Sequence, residues 1–101
     1  MHYELTIALK PDLAAEKSKK IIEEVGEAVE KSGGKLTKTE SLGVKTLAYP
    51  IKSFSQASFG RFYLQIDPDK VRELRRQLER EEALLRVFVV KIEGGEVKSN
   101  G

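Results

Sequence analysis

The chain has 101 residues, 40% of them hydrophobic and 34% charged, and it contains no cysteine. That length and composition describe a single domain with a heavily charged surface and leave no room for two lobes around a cleft. The missing cysteines exclude a disulfide framework and thiolate metal sites and fit a cytosolic protein, no apolar run reaches membrane-span length, and Met1–Asp12 lacks the pattern of a signal peptide.

The net charge of +2 is unevenly spread. Between Lys31 and Ile66 stand six bases (Lys31, Lys35, Lys38, Lys45, Lys52, Arg61) and one acid, Glu40, a balance of +5; the remainder balances to −3. Such asymmetry suggests a local surface for a polyanion, although a solvated lysine-rich face gives the same pattern.

Tyr3, Leu5, Ile7 and Leu9 alternate with His2, Glu4, Thr6 and Ala8, which predicts a strand over 3–9 with one buried face. Pro11-Asp12 breaks it, and Asp12 is placed to cap a helix. Ile21, Ile22, Val25, Ala28 and Val29 recur at helical spacing until Gly33-Gly34, where glycine can take the left-handed conformation that ends a helix. Lys35 to Tyr49 is rich in Thr, Val and Leu and reads as a long strand bulged or bent at Gly43. Pro50 to Ala57 reads as a polar loop. Ser58 to Ile66 alternates again, with Phe59, Arg61, Tyr63 and Gln65 opposite Gly60, Phe62, Leu64 and Ile66. Asp67-Pro68 starts a second helix with a buried stripe of Val71, Leu74 and Leu78 and an outer face of Arg and Glu. Leu85 to Ile92 is the last strand. The glycine-rich stretch from Glu93 has little that could pack.

This order predicts an α+β, ferredoxin-like βαββαβ fold: a four-stranded antiparallel sheet with both helices on one face, the first and third strands central, over residues 1–93, with 94–101 a flexible tail. The uncovered face should carry Thr6, Ala8, Phe59, Arg61, Tyr63, Gln65, Arg86, Phe88, Val90 and Ile92. Its aromatic and Arg content fits an interface core rather than a solvated surface. A one-residue slip in the last strand would expose Val87 and Val89 instead.

No catalytic constellation emerges. His2 is the sole histidine and has no companion ligand, so no metal site is expected, and no cofactor motif is present. Glu23-Glu24 and Glu81-Glu82 diverge around their helices and do not make an acid/base pair. An RNA-recognition module is faintly suggested by Phe59-Gly60-Arg61-Phe62-Tyr63, but the first strand offers no stacking aromatic beside Thr6 and Ala8. A ferredoxin-like regulatory or dimeric small-molecule-binding module is the alternative.

Three segments resemble the family of bacterial ribosomal small-subunit protein number six. They are Tyr3-Glu4-Leu5 with Pro11-Asp12-Leu13, then Leu42-Gly43 with Leu47-Ala48-Tyr49-Pro50-Ile51, and Arg86 to Lys91. The likeness runs from Tyr3 to Ile92. It implies a structural protein of the small ribosomal subunit that binds the central domain of its ribosomal RNA together with small-subunit protein eighteen, and a chain that is monomeric when free. The open face would then be mainly a partner-protein interface of Phe59, Arg61, Tyr63, Arg86, Phe88 and Val90. Strand order should gather His2, Lys35, Lys38 and Lys91 at one end of the sheet as phosphate contacts, with Lys45 a separate candidate at the other. Tyr49-Pro50 reads as structural, the proline ending edge pairing and the tyrosine packing beneath the loop.

Overall fold

The computed structural model describes residues 1–13 and 15–92; the predicted tail, 94–101, lies outside them. The elements are β1 (His2–Leu9), α1 (Ala15–Lys31), β2 (Lys35–Ile51), β3 (Phe54–Gln65), α2 (Pro68–Leu78) and β4 (Leu84–Ile92). They form one antiparallel sheet in the order β2-β3-β1-β4, so β1 and β3 are central and β2 and β4 are edges. The α+β, ferredoxin-like arrangement expected from the sequence is the one observed.

Strand alternation places the core between sheet and helices. Leu5, Ile7 and Leu9 of β1 and Phe62 and Leu64 of β3 are almost fully buried. They pack with Ile21, Val25 and Val29 of α1 and Leu74 and Leu78 of α2. Val87 belongs to this core and Val89 packs against it, so β4 has the register read from its alternation. The α1 helix closes on Gly33, at φ 86°: Gly33 N–H donates to Glu30 O and Gly34 N–H to Val29 O, the two bonds of a Schellman cap. Asp67 occupies the cap position of α2 with Pro68 following, but its side chain makes no capping bond. The α1 helix begins at Ala15, so Asp12 sits in the preceding turn and is not adjacent to the first helical residue.

The largest departure from the sequence reading is the β2–β3 connection. Residues 50–57 are not a polar loop. Strand pairing continues to Ile51↔Phe54, and the turn is only Lys52-Ser53, with φ of 50° and 73°. Both values are positive, as a primed hairpin turn requires, but neither residue is the Asn or Gly that normally advertises one. The polar composition of this stretch belongs to the exposed positions of two paired strands.

Beyond Gly43 the hairpin also builds a second apolar cluster. Buried Ala8, Ala57 and Leu85 are packed by Leu47, Ile51, Phe54 and Phe59. The turn residue Lys52 shares a groove of about 560 Å³ with Leu84–Val89 of β4 and with Arg75 and Glu79 of α2. The hairpin tip therefore reaches across to β4 at that end of the sheet.

Candidate functional site

Register assigns the open face rung by rung. Reading from β2 to β4, the first rung is Lys35, Gln65, His2 and Ile92, and the second is Lys38, Tyr63, Glu4 and Val90. The third is Glu40, Arg61, Thr6 and Phe88, and the fourth is Gly43, Phe59, Ala8 and Arg86. Directly opposed residues of paired strands share a face, so each rung is a line of neighbouring side chains.

The β2–β3 half of this face is ionic and closed on itself. Arg61 Nη1 stands 3.8 Å from Glu40 Oε1, and Arg61 Nε 3.9 Å from Glu4 Oε2. Lys38 Nζ lies 3.5 Å from Glu40 Oε2 and 5.9 Å from the centre of the Tyr63 ring. Arg61 Nη1 also donates a long hydrogen bond, 3.4 Å, to the Tyr63 hydroxyl. That hydrogen bond and the charges of Tyr63, Glu4 and Glu40 raise the guanidinium pKa against the lowering effect of burial. Lys38 and Arg61 are cancelled by Glu4 and Glu40, so this ionic block offers no net charge to a polyanion. Arg61 Nε is sealed from solvent yet makes no hydrogen bond among the described residues.

The β4 half is apolar and open. Phe88 is 41% exposed and Val90 56%, with Thr6 beside Phe88 and exposed Arg86 one rung further. The described residues hold no cluster of His, Cys, Asp or Glu able to take a metal ion, and no described helix is long and apolar enough to cross a membrane.

The family model for Ribosomal protein S6 matches residues 2–91. The chain belongs to the ribosomal protein S6 family. Among relatives, small ribosomal subunit protein bS6 of Nitratiruptor is 37% identical over 92 residues, covering 91% of this chain and 72% of its own length. The same protein of Aquifex aeolicus is 36% identical over 102 residues, covering 98% and 91%. The crystal structure of 30S ribosomal protein S6 from Thermotoga maritima superposes with a TM-score of 0.85 at 24% identity, over 90% of this chain and 86% of that one, and so speaks for the fold. The C-terminal domain of MgtC from Mycobacterium tuberculosis shares the fold at a TM-score of 0.60 and 11% identity. Fold alone therefore does not name a function, and the family rests on sequence.

For an S6-family chain, the candidate residues fall into three groups. His2, Lys35 and Lys38 do gather at one end of the open face, but Lys38 is held by Glu40 and Tyr63. Lys91 shares that end of the sheet but not that face: it opposes Tyr3, whose side chain lies in the helix-side core. Lys45 lies exposed on the distal half of the hairpin, opposite Ala57. Among the interface candidates, Arg86, Phe88 and Val90 are exposed, whereas Phe59 is half-buried in the second cluster. Tyr63 is only 6% exposed, roofed by Lys38 and bonded by Arg61, which corrects its reading as a displayed aromatic.

Tyr49 is corrected the other way. It is 82% exposed and does not pack beneath a loop. Glu4 and Glu40, the partners of Arg61, were not singled out from sequence. The alternation of β1 already placed Glu4 on the open face, but the bulges of β2 obscured the face of Glu40.

Proposed function

We propose that this chain is a structural, non-catalytic constituent of the small ribosomal subunit. In this reading it binds the central domain of small-subunit ribosomal RNA jointly with small-subunit protein eighteen, is monomeric when free, and resides with ribosomes in the cytoplasm. The carrying observation is the uncovered, apolar Phe88–Val90 strip next to an ionic block whose charges already cancel. Such a strip suits a protein partner, while His2, Lys35 and Lys45 lie outside it as candidate phosphate contacts. Arg86, beside Phe88 on the open face, would border the partner interface.

The low net charge argues that the chain alone binds RNA weakly, so affinity should come from the joint surface. Filter binding to a central-domain RNA fragment at near-physiological salt, with and without the partner, tests this. Tight, specific binding by the isolated chain would overturn it. Dimerisation through the same strip is the rival reading, and a stable homodimer in sedimentation equilibrium would favour it.

A further inference from the structure

We infer that Tyr49 is a base-stacking contact to RNA, held out from the tip of the β2–β3 hairpin between Lys45 and Lys52. The inference rests on the RNA-binding reading above and adds to it a site separate from the Lys35 end of the sheet.

Tyr49 is 82% exposed, more than Met1, Val44, Phe88 or Val90. A packed tyrosine buries roughly 150–250 Å², so leaving this one in water forgoes apolar burial that the fold could have used. The backbone is arranged to leave it out. Pairing runs to Thr46↔Gln56 and resumes at Ile51↔Phe54, so residues 47–50 of β2 bulge opposite Ser55 alone. A bulge of this kind re-aims side chains and ends regular pairing. Pro50, within it, has no N–H to offer an added strand, which makes this edge a poor template for another chain.

The tip is also braced. Leu47 and Ile51, on either side of the exposed ring, pack with Phe54 onto Ala8, Ala57 and Leu85. Tyr49 therefore projects from a fixed platform, so little order has to be created when a ligand meets it.

Charge identifies the ligand. From Ser41 to Gly60 the hairpin carries two lysines and no acid. Within four residues of Tyr49 the exposed residues are Lys45, Thr46, Ala48, Pro50, Lys52 and Ser53, a mixed surface and not the contiguous apolar patch of a protein interface. A lone ring between two lysines, on a hairpin that carries no acid of its own from Ser41 to Gly60, suits an unpaired nucleobase that stacks on the ring while its phosphates meet the lysines.

The test compares Tyr49→Ala, Tyr49→Phe, Lys45→Ala and Lys52→Ala in RNA binding by the protein–partner pair across a salt series. Tyr49→Ala is expected to weaken binding about tenfold at every salt concentration with an unchanged log–log slope, because it removes stacking and no charge. Tyr49→Phe should stay within about twofold of the parent, and each lysine variant should lower the slope by about one. Unfolding temperature and affinity for the partner without RNA should not change in Tyr49→Ala. RNA binding by Tyr49→Ala equal to that of the parent would overturn the inference. So would a loss in Tyr49→Phe as large as in Tyr49→Ala, or a loss of partner affinity without RNA, which would make the tip a protein contact. A parent pair that binds no RNA would overturn the functional reading as well, and is told apart by the parent titration.

Discussion

Replacing Phe88 and Val90 together by threonine should weaken binding of the partner protein at least about tenfold while leaving the fold standing. Threonine keeps a β-compatible side chain at both positions, so the change is aimed at apolar contact and not at the strand. A phenylalanine of roughly 200 Å² that is 41% exposed has about 80 Å² left to cover, worth about 2 kcal/mol at 25 cal/mol per Å². Val90, smaller but 56% exposed, offers a similar area, and its added hydroxyl would need a hydrogen-bond partner under the interface. The combined ceiling of about 4 kcal/mol is roughly three orders of magnitude in Kd, and because area converts incompletely to affinity the expected loss is between about tenfold and a thousandfold. Isothermal titration calorimetry against the partner measures it, with circular dichroism and thermal unfolding as the check on folding. A folded double variant that binds the partner within about threefold of the parent would refute the assignment of this face.

Reversing Lys35 and Lys45 to glutamate should flatten the salt dependence of RNA binding by about one log–log unit for each phosphate that is no longer neutralised; an unchanged slope would remove both from the RNA surface. Ser53, at φ 73°, should accept glycine with a gain of up to about 1 kcal/mol and resist valine with a loss of similar size, read by urea unfolding of Ser53→Gly and Ser53→Val. The raised pKa of Arg61 means that its contribution to stability is complete below its unfolded-state pKa and is lost only as pH rises through the still higher folded value. Stability of the parent minus that of Arg61→Met should therefore show no Arg61 titration between about pH 5 and 9.

Alternation made the sheet legible. The regular period of β1, β3 and β4 fixed which residues face the helices, and the two-residue repeat leaves one choice of face per strand. The glycine pair at 33–34 and Asp67-Pro68 marked helix ends through backbone chemistry that few other residues supply. The β2–β3 hairpin was less legible. It bulges near Thr37, before Gly43 and again after Thr46, and each bulge breaks the period on which reading a face depends. Its turn uses Lys52 and Ser53 at positive φ, held by tertiary packing and not announced by composition. The exposure of Tyr49 follows from that bulged geometry, so an aromatic that looked like packing material turned out to be a surface group. Tyr63 failed in the opposite sense: strand period gave its face correctly, but its burial depends on Lys38 and Arg61, which arrive from two different strands.

In the proposed assembly, the two halves of the open face would let one small sheet serve a protein and a nucleic acid at once. A rung of Glu40, Arg61, Thr6 and Phe88 runs from a neutralised ion pair to a half-exposed phenyl ring across four strands. Had Arg61 lacked Glu4 and Glu40, its charge would sit in the middle of the sheet and compete with the strand ends for phosphates. With both carboxylates in place the centre is electrostatically quiet, and the candidate phosphate contacts lie at the periphery, at Lys35 on one end and at Lys45 and Lys52 on the hairpin, while Arg86 stays with the β4 strip. In the proposed assembly a partner on the β4 strip would then not need to displace RNA, nor RNA the partner.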